Sequence, residues 1–223
     1  MMHCLIGVPG VSASSGSSRT EWIIPHLGQS LNLEPLRIFL LGKVQSLTIV
    51  NDALALLKIV TLQPLPAGNQ ILLSFGTSLG CAIKDGCYER SLELAHSPLL
   101  LHEAVSVNQY VSRYGVDPKD FRQIKCLHLF NGDVLNKLMR KSLECPSKLD
   151  IQAYFFSLFS MLDVVLASES VKGRCLVHLY GSLFNGFSRP ELNQILSRLT
   201  LKSLIENQYF LASINFKRLS IEI

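Results

Sequence analysis

Two adjacent polar residues, Asn51 and Asp52, are the first candidates for chemistry. They follow the β-branched apolar run Leu47–Val50 and precede the helix-forming run Ala53–Leu57, so they should lie where a strand leads into a helix. In open α/β sheets ligands bind at the carboxyl ends of strands, and the N–H groups of a helix start favour an ionised carboxylate there. Such a carboxylate can accept a proton from a hydroxyl group. The alternative is that both residues only cap the helix, since Asn and Asp are good N-caps.

A second polar group is the glycine loop Gly76-Thr77-Ser78-Leu79-Gly80, which lies between the apolar runs 70–75 and 81–83. A loop with glycine at both ends and two hydroxyls between them can bring backbone N–H groups and Oγ atoms close to phosphate oxygens. The same residues also fit a glycine-rich β-turn that binds no ligand.

Glu93 and His96 follow this loop and stand three residues apart. A carboxylate acceptor and an imidazole that donates or accepts could together hold one polar ligand. A lone Glu and His at this spacing are more often surface residues with no ligand, and the spacing by itself leaves both interpretations open.

Apolar periodicity predicts the elements that would position these residues, and their mixture indicates an α/β protein. We expect strands at residues 4–8, 47–50, 70–75, 81–83 and 175–180 and a weak one from Tyr209. Helices are predicted to start near Asn32, at Ala53, at His102, at Asp117, after a cap at Asp133, at Ile151 and at a Ser188-x-x-Glu191 capping box.

Composition narrows the function classes. The chain has 223 residues, 21 Lys and Arg against 17 Asp and Glu, and a mean hydropathy of +0.29, which predicts a large buried core. Its scattered positive charges argue against a nucleic-acid surface. The apolar stretch 154–167 is shorter than the roughly 20 residues of a membrane span. With no predicted signal peptide and no Cys-x-x-Cys pair among six cysteines, we expect a cytoplasmic protein with free thiols.

Taken in order and spacing, these segments resemble the sugar kinases of the glucokinase and ROK type, within the actin-like ATPase superfamily. The resemblance spans nearly the whole chain and is closest to the bacterial glucokinase branch. It is carried by the Trp22 segment after the first strand, the Asn51-Asp52 pair, the loop 76–80, Glu93-x-x-His96, and the long apolar helix that precedes a strand and the turn at Gly181. No single motif is specific, but the ordered set is.

The resemblance implies a two-lobed, ribonuclease H-like α/β fold with a cleft between the lobes. Residues 1–60 would be the remainder of an N-terminal lobe, and residues 61–223 the C-terminal lobe. Members of the family open with an Asp-x-Gly-Gly-Thr phosphate loop, and this sequence contains no such motif. The expectation is therefore an incomplete N-terminal lobe.

The resemblance also implies roles for individual residues. Asp52 would be the general base that accepts the proton of the glucose 6-hydroxyl as it attacks the γ-phosphate of ATP. The sugar hydroxyls would be bound by Asn51, Glu93 and His96; the ATP phosphates would face Gly76, Thr77 and Gly80; and the adenosine would lie beside Gly181. Mg²⁺ would bridge phosphate oxygens, with no protein metal site implied.

Two functional hypotheses follow. The first is an ATP-dependent hexose kinase that phosphorylates glucose at the entry to glycolysis. The second is a shortened, inactive relative that serves as a sugar-binding or regulatory module, or a gene fragment, which the missing phosphate-loop motif favours. In either case the expected partner is a small sugar, with neither nucleic acid nor membrane, and exposed apolar surface on the incomplete lobe would favour a homodimer.

Overall fold

The computed structural model describes residues 3–12, 21–24, 28–62, 68–86, 88–92, 94–96, 129–145, 150–168, 171, 175–198 and 209–215. Its strands are β1 (His3–Val8), β2 (Val11–Ser12), β3 (Glu21–Ile24), β4 (Gln29–Asn32), β5 (Ser46–Asn51), β6 (Asn69–Phe75), β7 (Leu79–Asp85), β8 (Tyr88–Leu92), β9 (Cys175–Tyr180) and β10 (Tyr209–Asn215). Its α-helices are α1 (Glu34–Leu40), α2 (Asp52–Val60), α3 (Gly132–Glu144), α4 (Asp150–Ser168) and α5 (Arg189–Arg198), with 3-10 helices at Leu94–His96 and Ser182–Gly186.

Within these described ranges the strands form three sheets. The largest has the order β10-β9-β6-β7-β8, in which β6, β9 and β10 run parallel and β6, β7 and β8 form an antiparallel meander. Strands β1 and β5 pair in parallel as a second sheet, and β2, β3 and β4 form an antiparallel third. Parallel pairing places the carboxyl ends of β6 and β9 at one edge of the large sheet, where functional sites usually lie.

The main core lies between one face of the large sheet and helices α3, α4 and α5. Alternate residues of β6, including Ile71, Leu73 and Phe75, point into it, as the two-residue period of a strand requires. Helix α4 adds Tyr154 and Leu158, neither of which has exposed surface. The helix predicted from the apolar spacing after Ile151 is therefore confirmed, and its apolar face lies in the core.

The opposite face of the large sheet packs against α2. Leu72 of β6 and Ala82 of β7 are fully buried beneath this helix, together with its own Leu57. Burying a leucine side chain completely contributes about 2 kcal/mol. Helix α2 also contacts β1 and β5, so one helix joins the small parallel sheet to the large mixed one.

An ion-pair cluster holds the far end of α2 on the sheet. Glu89 of β8 binds Lys58 of α2 and lies 3.0 Å from Nζ of Lys84 on β7. Burial raises the pKa of the Glu89 carboxyl, but the hydrogen bonds from both lysines outweigh it, so the pKa lies below the ordinary value. This cluster supports the packing that positions the first turn of α2.

Most local predictions are confirmed. Strand β5 ends at Asn51 and α2 begins at Asp52, and the capping box is present because Glu191 Oε2 accepts from both N and Oγ of Ser188. The expected helices from His102 and Asp117 lie outside the described residues.

The predicted cap of α3 was wrong. The helix begins at Gly132, and Asn131 rather than Asp133 is the N-cap, with its Oδ1 accepting from the Val134 N–H at 3.0 Å. A cap must reach the amide two or three residues ahead, and Asp133, already inside the first turn, does not precede the helix.

One segment of the described chain, Ile151–Ser168 within α4, is long and apolar enough to cross a membrane by length and composition. Half of it is buried inside the fold. Core helices of soluble proteins pass the same test, and Tyr154, Leu158 and Leu162 pack entirely into the main core.

Candidate functional site

Asn51 is the N-cap of α2 and is almost fully buried, with 8% of its surface exposed. Its Oδ1 accepts from Ala53 N–H at 2.9 Å and from Leu54 N–H at 3.4 Å. Its Nδ2 donates to the carbonyl oxygen of Gly10 at 2.8 Å. The capping interpretation therefore holds for Asn51, which also ties the turn after β1 to the start of α2.

Asp52 is the first residue of α2, and its side chain is exposed. Its Oδ1 accepts from the N–H of Ala53 at 2.8 Å, so one carboxylate oxygen is held against the helix start. The positive end of the helix dipole favours a negative charge at this position. The arrangement fits a base that receives a proton from a hydroxyl.

Gly7 lets α2 approach β1 closely. A Cβ at Gly7 would lie 3.0 Å from both the Cα of Asp52 and the Cβ of Ala55, so any side chain on β1 at this point would push the first turn of the helix outward. Gly10, which has a φ of 100°, makes the turn that follows. The short strand and its turn thus fix where Asp52 stands.

The glycine loop is a tight hairpin between β6 and β7. Phe75 and Leu79 are its last paired residues, and the N–H of Gly76 donates to the carbonyl of Ser78 at 3.1 Å. A Cβ at Gly76 would meet nothing closer than 3.9 Å, so that side of the loop is open. A Cβ at Gly80 would lie 3.3 Å from the Cβ atoms of Ala53 and Ser74, so Gly80 admits the first turn of α2.

A cleft of about 130 Å³ separates the start of α2 from this loop. It holds several times the roughly 30 Å³ that one water molecule occupies in the liquid. Its lining joins Asp52 and Asn51 to all five residues of the loop, and the remaining lining residues are Pro9, Gly10, Ser74, Cys81, Leu92 and Ala95. A residue with a carboxylate at a helix start and a hydroxyl-bearing glycine loop therefore line the same cleft.

Gly181 lies behind the loop, outside the residues that line the cleft. A Cβ there would stand 2.7 Å from the carbonyl oxygen of Phe75, so this glycine permits close packing of the end of β9 against the end of β6. The predicted adenosine neighbour thus has a clear packing function in the structure.

Glu93 lies outside the described residues, as does the side chain of His96. The flanking residues Leu92 and Ala95 both line the cleft. Described residues next to both predicted sugar ligands therefore border the cleft, and the roles of Glu93 and His96 stay predictions.

The described residues contain no group of three or more His, Cys, Asp or Glu side chains that could hold a metal ion. Asp52 is the carboxylate among the residues lining the cleft. A divalent cation here would therefore take most of its oxygen ligands from a bound phosphate and from water, as Mg²⁺ commonly does in phosphoryl-transfer sites.

Sequence reasoning missed several residues of the site. Neither Gly10 nor Gly132 is among the predicted site residues, yet Gly10 lines the cleft and Gly132 donates its N–H to the Gly76 carbonyl at 2.8 Å. Their type did signal a special backbone position, but no local pattern shows which distant segment a glycine will touch.

No protein-family model matches the sequence, and the comparison with curated proteins found no match. Solved structures do match. A glucokinase from Balamuthia mandrillaris in complex with glucose superposes with a TM-score of 0.56 at 12% identity, covering 98% of this chain and 74% of that one. A glucokinase from an Antarctic psychrotroph gives a TM-score of 0.52 at 14% identity, covering 90% of this chain and 68% of that one.

A third match is not named as an enzyme. The ROK family transcriptional regulator homologous to the E. coli MLC protein has a TM-score of 0.50 at 15% identity and covers 96% of this chain and 58% of its own. At such identities the likeness carries the fold and not the activity. The chain has the actin-like α/β fold shared by glucokinases and ROK-family proteins, as the sequence resemblance predicted.

Proposed function

We propose that this chain is an ATP-dependent hexose kinase of the glucokinase type, which transfers the γ-phosphoryl group of ATP to the 6-hydroxyl of glucose. The observation that carries the proposal is the shared cleft, which is lined by Asp52 and by the loop 76–80. Phosphoryl transfer needs a proton acceptor for the attacking hydroxyl and donors around the phosphate. In the proposal, Asp52 supplies the proton acceptor and the loop 76–80 supplies the donors.

In this mechanism Asp52 accepts the proton of the sugar hydroxyl as its oxygen attacks phosphorus. The carboxylate is held by Ala53 N–H, which leaves its second oxygen for the hydroxyl. We assign the other sugar hydroxyls to Glu93, His96 and Asn51, of which Asn51 lines the cleft. A site built from such groups rejects analogues that lack a hydroxyl.

The phosphates of ATP are assigned to Gly76, Thr77 and Gly80, with the adenosine beside Gly181. The open side of Gly76 permits close approach of a phosphate oxygen, and the Thr77 hydroxyl adds a donor. Bound together with ATP, Mg²⁺ would neutralise charge that develops on the phosphate oxygens. Exclusion of water by closure of the cleft would keep water from competing with the sugar as acceptor.

The deciding experiment is glucose-dependent consumption of ATP by the purified chain and by Asp52→Asn. Loss of a positioned general base lowers turnover by about 10²- to 10⁴-fold. Asp85→Asn is the matched control, since Asp85 ends β7 six residues beyond Leu79, about 20 Å away at the rise of a strand. Turnover that survives in Asp52→Asn, or is lost equally in Asp85→Asn, would contradict the role of Asp52.

We further propose that residues 1–60 and 61–223 form two lobes that close on ligands. The small parallel sheet lies in the first range and the large sheet in the second, with α2 packed between them. Closure predicts a smaller radius of gyration in X-ray scattering when glucose and a non-hydrolysable ATP analogue are added together. An unchanged radius with both ligands bound would argue against closure.

A second candidate is a sugar-binding module without phosphoryl transfer. Its support is the similar fold of a ROK family transcriptional regulator, together with Ser74 and Ser78 on the lining of the cleft, where added Cβ atoms restrict the approach of phosphate. Glucose binding by calorimetry with no turnover would favour this module over the kinase. Either function is assigned to a soluble, cytoplasmic protein.

A further inference from the structure

Gly132, the first residue of α3, is bound to the back of the glycine loop. Its N–H donates to the carbonyl oxygen of Gly76 at 2.8 Å, while Asn131 caps the helix by accepting from Val134 N–H. The first amides of a helix have no partner within the helix. Here one of them is used to hold the loop between β6 and β7.

The approach is too close for a side chain. A Cβ at Gly132 would lie 3.0 Å from the Gly76 carbonyl oxygen and 3.2 Å from that of Phe75. Gly181 approaches the same Phe75 oxygen from the end of β9, where a Cβ would lie at 2.7 Å. Two glycines distant in sequence thus pack against the end of β6 and the start of the loop.

Helix α3 is a rigid support for this contact. Its residues Leu135, Leu138 and Met139 are at most 4% exposed and belong to the main core. The carbonyl of Gly76 is therefore fixed toward α3. In a trans peptide the C=O of one residue and the N–H of the next point in opposite directions, so the N–H of Thr77 is directed away from α3.

We propose that Gly132 is a positioning residue, which fixes the Gly76 carbonyl on α3 and so presents the amide of Thr77 to the cleft as an anion donor. The consequence for nucleotide binding rests on the kinase function proposed above. The positioning itself is a property of the fold and can be measured without any ligand.

Hydrogen exchange of assigned amides by NMR tests the positioning in the native chain. The Gly132 amide should exchange at least about tenfold more slowly than an unprotected amide, since a persistent hydrogen bond must open first. In Gly132→Ala, amides of residues 76–80 should exchange several-fold to about tenfold faster, the range that loss of one hydrogen bond allows. Amides of β8 should keep their rates.

The matched control is Gly186→Ala, whose Cβ would meet only the flexible end of Arg140 at 3.4 Å. It should leave exchange in residues 76–80 unchanged. If Gly132→Ala does not fold, the native Gly132 amide decides: exchange at the unprotected rate overturns the proposal. So does a uniform acceleration across all elements of the variant, which would indicate general destabilisation alone.

Ligand affinities separate this inference from the proposed function. Gly132→Ala should bind the Mg²⁺ complex of a non-hydrolysable ATP analogue about tenfold more weakly and bind glucose as the native chain does. If the native chain binds no nucleotide, the kinase proposal fails while the exchange data still decide the positioning. If both proteins bind nucleotide equally, the positioning of Thr77 is overturned.

Discussion

The side-chain amide of Asn51 donates to the carbonyl oxygen of Gly10 at 2.8 Å, so the residue that caps α2 also anchors the turn after β1. Because Asp52 is the next residue, its position depends on both contacts. Substitutions of Asn51 can distinguish the contribution of the helix cap from that of the hydrogen bond to Gly10.

Asn51→Ala should destabilise the fold by about 1 to 2 kcal/mol, since it removes an N-cap. Asn51→Asp keeps an oxygen acceptor for Ala53 N–H but turns a carboxylate oxygen toward the Gly10 carbonyl oxygen, which in the native chain accepts from Nδ2 at 2.8 Å, so its destabilisation reports the lost donor. Urea denaturation of the three proteins measures both changes. Equal stability of Asn51→Ala and the native chain would contradict the capping role.

Alanine substitutions at Gly76 and Gly181 should affect stability differently. Gly181→Ala should lower stability by about 1 to 3 kcal/mol, because its Cβ would overlap the Phe75 carbonyl oxygen at 2.7 Å. Gly76→Ala should change stability by less than about 0.5 kcal/mol, since its Cβ would meet nothing within 3.9 Å, while weakening binding of nucleotide. Thermal unfolding and nucleotide titration test the pair, and a stable Gly181→Ala would refute the packing argument.

His178 predicts a dependence of stability on pH. It is 2% exposed and its Nε2 lies 2.8 Å from Oε1 of Gln70, and burial holds the pKa of His178 below its ordinary value of 6.5. The unfolded chain then binds a proton more readily than the folded one. Stability should therefore be full above pH 6.5 and fall, by at most about 1.4 kcal/mol per pH unit, as the pH drops toward the folded pKa.

Urea denaturation between pH 5 and 8 measures this effect, with His178→Gln as the comparison. The variant lacks the titrating imidazole, so its stability should depend less on pH between about pH 5 and 7. Parallel curves for the two proteins would assign the pH dependence to other groups.

Exposed apolar side chains on and after α1 predict self-association. Ile38 and Phe39 are 61% and 62% exposed, and Leu41 is 53% exposed. Large exposed apolar patches commonly bind other surfaces, so the chain should form a concentration-dependent homodimer. Replacing both Ile38 and Phe39 by serine should shift sedimentation toward the monomer. Val164→Ser, at a 54% exposed position on α4, is the control and should not.

The local elements of this protein were predictable because their signals are local. Strand β5 and helix α2 meet where an apolar β-branched run gives way to Asn51 and an alanine-leucine run, and α4 follows the period of its apolar residues. The N-cap of α3 could not be predicted in this way. Asn and Asp are both good N-cap residue types, and Asn131 is the cap because the helix begins at Gly132.

The candidate site was predictable in its parts and not in its assembly. The Asn51-Asp52 pair and the loop 76–80 could each be recognised in the sequence as polar candidate residues at the end of a predicted strand. That they line one cleft depends on α2 lying across β6 and β7, which no periodicity specifies.

What the sequence alone determined, then, is where elements begin and end and which faces are apolar, because residues a few positions apart decide these features. Only the tertiary structure decided which distant segments of the chain contact each other. Strand β6 pairs with β9 across a separation of about a hundred residues, as between Asn69 and Cys175, and the Gly132 amide reaches Gly76 in the same way. Such contacts depend on how the whole core packs. The absence of a side chain at a glycine is needed only where that packing brings another backbone segment into contact with it.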